Sequence, residues 1–231
     1  MTQNSPFRPN IEENRMTGHN RIVRVATVSQ AELTRSGNDE LVDRTLERAD
    51  QAAAYGPDIL CLPEGFAGRE PESVPGPTSE KASAWARAHH CYLICSMKVL
   101  SDGVPYNSAV IIDRQGRIQG RYDKTHPTDS EIAAGVECGS LDVPVFETDF
   151  GTIGVQICYD VNWPEDWKRL KEKGAEVVFF AAAYPAHLQL TTLAQVNQYY
   201  VVSSARSRTS RVYDITGRVM ARSGYLSLIH I

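Results

Sequence analysis

Three side chains suited to acyl-transfer chemistry stand at the ends of apolar, strand-like segments. They are Glu64 in Cys-Leu-Pro-Glu-Gly-Phe, Lys124 in Tyr-Asp-Lys-Thr-His, and Cys158 in Gly-Val-Gln-Ile-Cys-Tyr-Asp. Strand ends along one edge of a sheet gather residues that are distant in sequence, and sites in open α/β sheets lie at that edge. A thiol attacks a carbonyl carbon as its thiolate, yet a free cysteine is mostly protonated near neutrality, so a partner must take the proton. A carboxylate in a site that excludes water can take it and later return it to a leaving amine, a role that suits Glu64. The tetrahedral intermediate then places negative charge on the former carbonyl oxygen. A lysine ammonium and a backbone N–H can meet that charge, which suits Lys124 and the amide of Tyr159. Taken singly, each residue also has a plain structural reading as a core thiol, a cap or surface carboxylate, or a solvated lysine.

The elements that must position these groups follow from the hydrophobic pattern. Residues 21–28 carry β-branched side chains at alternate positions and read as a first strand. Asn38 can cap a helix whose apolar residues recur at helical spacing until Gly56-Pro57 stops it, and residues 58–62 then form a strand apolar on both faces. Glu64 follows it. The pattern continues with a helix over 79–90, a strand over 92–97, and a two-stranded ribbon over 106–113 and 117–122 that delivers Lys124. Strands over 143–148 and 152–157 lead to Cys158, Pro164 opens a helix through 173, and a strand over 176–181 follows. Strands alternating with helices, plus hairpins, predict a layered α/β protein with mixed sheets.

With 231 residues, 42% of them hydrophobic and 23% charged, the chain matches an ordinary globular protein and reads as one domain, since no linker divides its interior. The net charge of −4 is spread along the chain and leaves no footprint for nucleic acid or an anionic membrane. The longest apolar run, residues 177–184, falls short of the roughly 20 residues a bilayer requires. Five cysteines, an odd number without disulfide-framework spacing, suggest reduced thiols and a cytoplasmic setting. Residues 1–20 read as a flexible leader, and residues 226–231 as a non-native tail on a frame cut short at its C-terminus.

The three motifs resemble those of the nitrilase, or carbon-nitrogen hydrolase, superfamily. Its members carry Leu-Pro-Glu, then Lys-x-His, then Gly-x-x-x-Cys-Tyr-Asp-x-x-x-Pro-Glu. Here these stand as Leu62-Pro63-Glu64, Lys124-Thr125-His126, and a run from Gly154 through Cys158-Tyr159-Asp160 to Pro164-Glu165. The resemblance covers residues 21–225 and implies a four-layer α-β-β-α sandwich with two mixed sheets, no metal or organic cofactor, and homo-oligomers. It also implies Glu64 as general base and acid, Lys124 as stabiliser of the tetrahedral intermediate, Cys158 as covalent nucleophile, and Glu131 as a carboxylate orienting substrate and lysine. Two departures stand out. Leu193-Ala-Gln-Val196-Asn197 replaces the Arg-Ala-x-Glu-Asn of many relatives, and Asn162-Trp163 replaces the Arg-Phe of one amidase branch.

Among other candidates, His89-His90-Cys91 with Cys95 reads as a helix end and a strand rather than a metal site, Cys61 as a core residue, and Cys138 as a loop residue. His126 reads as a loop-fixing hydrogen-bonder. Trp163, Tyr184 and His187 are candidate substrate-pocket residues, and the proline-rich stretch 68–77 a rim loop beside Glu64. The expected activity is hydrolysis of a non-peptide C–N bond in a small amide or N-carbamoyl compound through a cysteine thioester. An amide is favoured because Cys-Tyr-Asp resembles the amidase and carbamoylase branches, whereas nitrilases more often show Cys-Trp-Glu. Acyl transfer or nitrile hydrolysis by the same triad, or a non-catalytic relative acting in assembly, are the alternatives.

Overall fold

A computed structural model describes residues 22–31, 33, 38–68, 70–206, 209–223 and 229–230. The expected leader lies outside them, as does the expected tail apart from the backbone of residues 229–230. Among the described residues, two six-stranded sheets organise the fold. The first contains β1 (Val25–Thr27), β2 (Ile59–Cys61), β3 (Tyr92–Ser101), β4 (Val104–Ile112) and β5 (Ile118–Asp123), with β12 (Ile229–His230) along β1. The second runs from β6 (Val145–Thr148) and β7 (Gly151–Ile157) through β8 (Val177–Ala182) and β9 (Tyr200–Ala205) to β10 (Arg211–Tyr213) and β11 (Val219–Arg222). Each sheet is mixed: β1, β2 and β3 are parallel and so are β7, β8 and β9, while antiparallel strands extend the edges, through hairpins everywhere except at β1, where the distant β12 pairs.

The layering follows from period-2 alternation in strands buried on both sides. In β2, Ile59 and Cys61 join Ile94, Ile111, Val155 and Phe179 in a core between the sheets, whereas Leu60 and Leu62 face the other way. There they meet Val42 and Ala49 of α1 (Asn38–Ala53) and Ala82 and Trp85 of α2 (Pro77–His89). On the far side of the second sheet, Trp167 and Leu170 of α4 (Pro164–Glu172) and Leu190 and Leu193 of α5 (His187–Asn197) complete the stack. Gly154 lets α4 approach β7 closely: a Cβ on it would lie 2.9 Å from Leu170 Cδ1. The architecture is the expected α-β-β-α sandwich.

Two elements differ from expectation in ways that matter for the site. Strand β3 continues past Met97 to Ser101, because every residue from Leu93 on finds a partner in β4. The proline-rich stretch is also more than a rim loop. The Glu72 backbone runs beside β3, receiving its amide bond from Leu100, while the Glu72 carboxylate accepts the Thr78 N–H at 2.8 Å and so caps α2.

Candidate active site

Glu64 stands three residues past the end of β2 and is 8% exposed. Its Oε1 accepts hydrogen bonds from Lys124 Nζ at 3.0 Å and Asn107 Nδ2 at 2.9 Å, and its Oε2 accepts the Ala183 N–H at 3.1 Å. Its backbone carbonyl accepts both Nε and Nη2 of Arg206, the residue after β9, with Nε at 3.0 Å. The next residue must stay small and left-handed for this to happen: Gly65 has φ +59, and a Cβ on it would lie 2.8 Å from Arg206 Nη2. The carboxylate and carbonyl of Glu64 are therefore fixed from within β4 and from the exits of β5, β8 and β9, which holds the side chain in one direction.

Lys124 follows β5 directly and is 1% exposed. Such a lysine needs carboxylates around it, and it has two, Glu64 and Glu131, the latter through Oε2 at 2.8 Å. Burial by itself lowers the Lys124 pKa, but the charges of Glu64 and Glu131 outweigh it and hold the ammonium protonated above its ordinary range. Glu131 sits in the first turn of α3 (Asp129–Ala133), where it forms a capping box with Thr128. That box turns its carboxylate inward, and Oε1 also accepts Lys98 Nζ at 3.0 Å and Asn107 Nδ2 at 2.7 Å. Burial would raise its pKa, yet Lys124, the Thr128 amide and Lys98 together bring it down to about 2.

Cys158 ends β7 and opens a 3₁₀ turn, Cys158–Asn162, with φ of +49. A non-glycine residue there carries roughly 1–3 kcal/mol of strain, which persists only where its surroundings impose it. The thiol lies close to the Glu64 carboxylate, to the Ala183 N–H that this carboxylate accepts, and to the Lys124 ammonium. Burial and the Glu64 charge push it up to about 12, with Ala183 and Lys124 offsetting part of the rise. Cys91 is raised to about 12 by burial as well, and the fully buried Cys61 and Cys95 higher still. What distinguishes Cys158 among the five free thiols is thus its neighbours: it is the half-buried one with a carboxylate and an ammonium alongside.

The remaining expected residues divide. Tyr184 borders the cluster; its phenol is raised to about 12 by burial and then by the charges of Cys158 and Glu64, and its ring packs edge-on against Phe180. Trp163 stacks on His126 at 3.8 Å and meets the edge of Tyr159, which is 40% exposed. His187 opens α5, its ring bonded to Thr209 and facing Tyr213. His126 fixes its loop, with its ring on Asp166 at 2.8 Å. Asn197 is tied to its own helix through Leu193. Sequence reasoning passed over Asn107, Lys98, Arg206 and the Ala183 amide. An asparagine and a lysine within strand patterns, where both types are depleted, were the available signals. Among the described residues, no group of three or more His, Cys, Asp or Glu side chains is arranged to hold a metal ion, and no helix is long and apolar enough to cross a membrane.

The carbon-nitrogen hydrolase family model matches residues 24–228. A deaminated glutathione amidase of Synechocystis sp. is 32% identical over 194 residues, covering 70% of each chain. An omega-amidase, NIT2, of Xenopus tropicalis is 25% identical over 218 residues, covering 80% of this chain and 79% of that one. Saccharomyces cerevisiae Nit3, a member of branch 10 of the nitrilase superfamily, shares the fold with a TM-score of 0.82 at 22% identity, over 90% of this chain and 89% of that one. The chain belongs to the carbon-nitrogen hydrolase family.

Proposed function

We propose that this enzyme hydrolyses the C–N bond of a small carboxamide or N-carbamoyl compound by covalent catalysis at Cys158, with Glu64 and Lys124 as its partners. The observation that carries this reading is the buried Glu64 carboxylate beside the Cys158 thiol, held in place by Lys124, Asn107 and the Ala183 amide. As sulfur bonds to the substrate carbon, the thiol proton passes to Glu64, and the carbonyl oxygen takes the negative charge beside Lys124 and the Tyr159 N–H. Collapse breaks the C–N bond, the amine leaves with the proton from Glu64, and a thioester remains. Glu64 then takes a proton from water as it attacks; the acid departs and the thiol regains its proton. Glu131 keeps Lys124 aimed at the oxygen, and Tyr184 and Trp163 line the approach.

Family membership supports C–N hydrolysis, and the two amidase relatives favour an amide over a nitrile. The core shared by both sheets supports reading residues 21–225 as one hydrolase domain. The test is ammonia release from a panel of small amides, carbamoyl compounds and nitriles, with intact-mass detection of an acyl adduct. The parent should release ammonia and acylate on Cys158, and Cys158→Ala should do neither. Parent-level turnover by Cys158→Ala would refute the mechanism.

A further inference from the structure

Asp160 is fully buried two residues after Cys158, and its carboxylate reaches three places. Oδ2 accepts the Ile157 N–H at 3.0 Å, closing a loop over the strained Cys158 backbone. The same oxygen accepts the hydroxyl of Tyr122 on β5 at 2.7 Å. Oδ1 accepts the His126 N–H at 2.9 Å, two residues past Lys124. Tyr122, 1% exposed, also lies 3.0 Å from the Thr125 hydroxyl, so both residues flanking Lys124 at one remove are drawn into the network. The Asp160 carbonyl accepts Trp167 Nε1 at 3.2 Å, which anchors the turn on α4. Cys158 and Lys124 come from different sheets, and these bonds join their two exits.

Building on the catalytic reading of Cys158 and Lys124, we propose that Asp160 is a positioning residue: its single carboxylate clamps the chain entering the nucleophile to the chain leaving the lysine, and thereby sets their separation. The clamp needs both oxygens as acceptors, because all three partners donate. Protonation of Oδ1 would set a donor against the His126 N–H, and protonation of Oδ2 would reverse the Tyr122 bond and remove the charge that strengthens the Ile157 arm, so either weakens the clamp. Burial raises the Asp160 pKa to about 7, against the bonds from Tyr122, Ile157 and His126 and the charge of Lys124. The charged or titratable groups around it are Tyr122 and Lys124 on the β5 side, Cys158 on its own turn, and Asp166 of α4 behind the His126 ring. Activity should therefore decline as pH falls through the neutral region.

Two variants test this against C158A as reference. D160N retains one acceptor oxygen and turns an amide NH₂ toward a donor, so kcat should fall about 10²-fold with KM little changed, as expected for a displacement near 1 Å. Y122F leaves both amide bonds to Asp160 intact but removes a donor that favours its charged form, so the acid limb of kcat/KM should move to higher pH. A merely structural tyrosine would lower activity without moving that limb. A folded D160N with parent kcat, or a Y122F profile superimposing on the parent's, overturns the clamp, and Y122F decides if D160N fails to fold. An active C158A would instead overturn the nucleophile assignment, whereas an inactive C158A with parent-like D160N and Y122F would remove the clamp alone.

Discussion

Replacing Asn107 by leucine keeps the approximate volume and removes a carboxamide that gives both hydrogens of Nδ2 to carboxylates, one to Glu64 at 2.9 Å and one to Glu131 at 2.7 Å. Hydrogen bonds to charged groups contribute about 1.5–3 kcal/mol each. Both carboxylates keep a lysine partner afterwards, so the low end applies and the gross loss is about 3 kcal/mol. Asn107 Oδ1 is buried without a partner among the described residues, and losing it returns ~1 kcal/mol, leaving a net destabilisation of about 2 kcal/mol. Catalysis should suffer more than stability, because Glu64 loses one of the contacts that fix its direction; a misplaced base costs on the order of 10²-fold in kcat/KM. N107D should be worse still. The new carboxyl would face two carboxylates at hydrogen-bonding distance, where like charges repel by ~6 kcal/mol even at an effective dielectric of about 20. Denaturant titration and steady-state amide hydrolysis on parent, N107L and N107D measure both effects. An N107L enzyme within twofold of the parent in kcat/KM would show that Glu64 is oriented without Asn107.

Lys124→Met leaves Glu64 and Glu131 facing each other without their shared cation, so stability should drop by about 3–5 kcal/mol along with activity; an unchanged denaturation midpoint contradicts the buried pairing. For Glu131, whose folded pKa is depressed to about 2, the carboxylate contributes stability above the unfolded value near 4.5 and loses it as pH falls through about 2. Glu131→Gln should accordingly flatten the acid-denaturation curve between those values, and parallel curves for parent and variant would refute this. Gly154→Ala pushes a methyl against Leu170 and should destabilise by about 1–3 kcal/mol; Leu170→Ala in the same chain should recover part of that loss, and strict additivity of the two would argue against the contact.

How much of this was legible depended on how each group is held. Glu64, Lys124 and Cys158 each follow a strand pattern, which made them candidates; the resemblance of their motifs to a known family singled them out, and the sheet topology supplied the convergence. Glu131 was legible as chemistry but not as geometry: Thr128-Asp-Ser-Glu131 spells a capping box, and only the folded turn shows the same carboxylate reaching Lys124. Lys98 and Asn107 were missed because their meaning is a matter of register. They are directly paired across β3 and β4, so the hairpin places the ammonium and the carboxamide side by side on Glu131. No local propensity reports that pairing, and ending the strand at Met97 removed Lys98 from consideration. The Ala183 amide and Arg206 carry still less signal, since each acts through its place at a strand exit rather than through its type.

The charge balance of this cluster accounts for a thiol raised to about 12 in a site proposed to use it as a nucleophile. Glu64 and Glu131 are matched by Lys124 and Lys98, so the resting group is neutral with Cys158 protonated, and a free thiolate would be an unmatched buried charge. In the proposed first step no such thiolate accumulates. The proton moves to Glu64 while sulfur bonds to carbon, and the negative charge emerges on the substrate oxygen. Glu64 becomes neutral as the oxyanion forms, so Lys124 exchanges one anionic partner for another and the net charge of the buried group is unchanged. A preorganised neutral cluster of this kind favours the intermediate over the isolated thiolate, because only the intermediate places its charge where the released ammonium already lies.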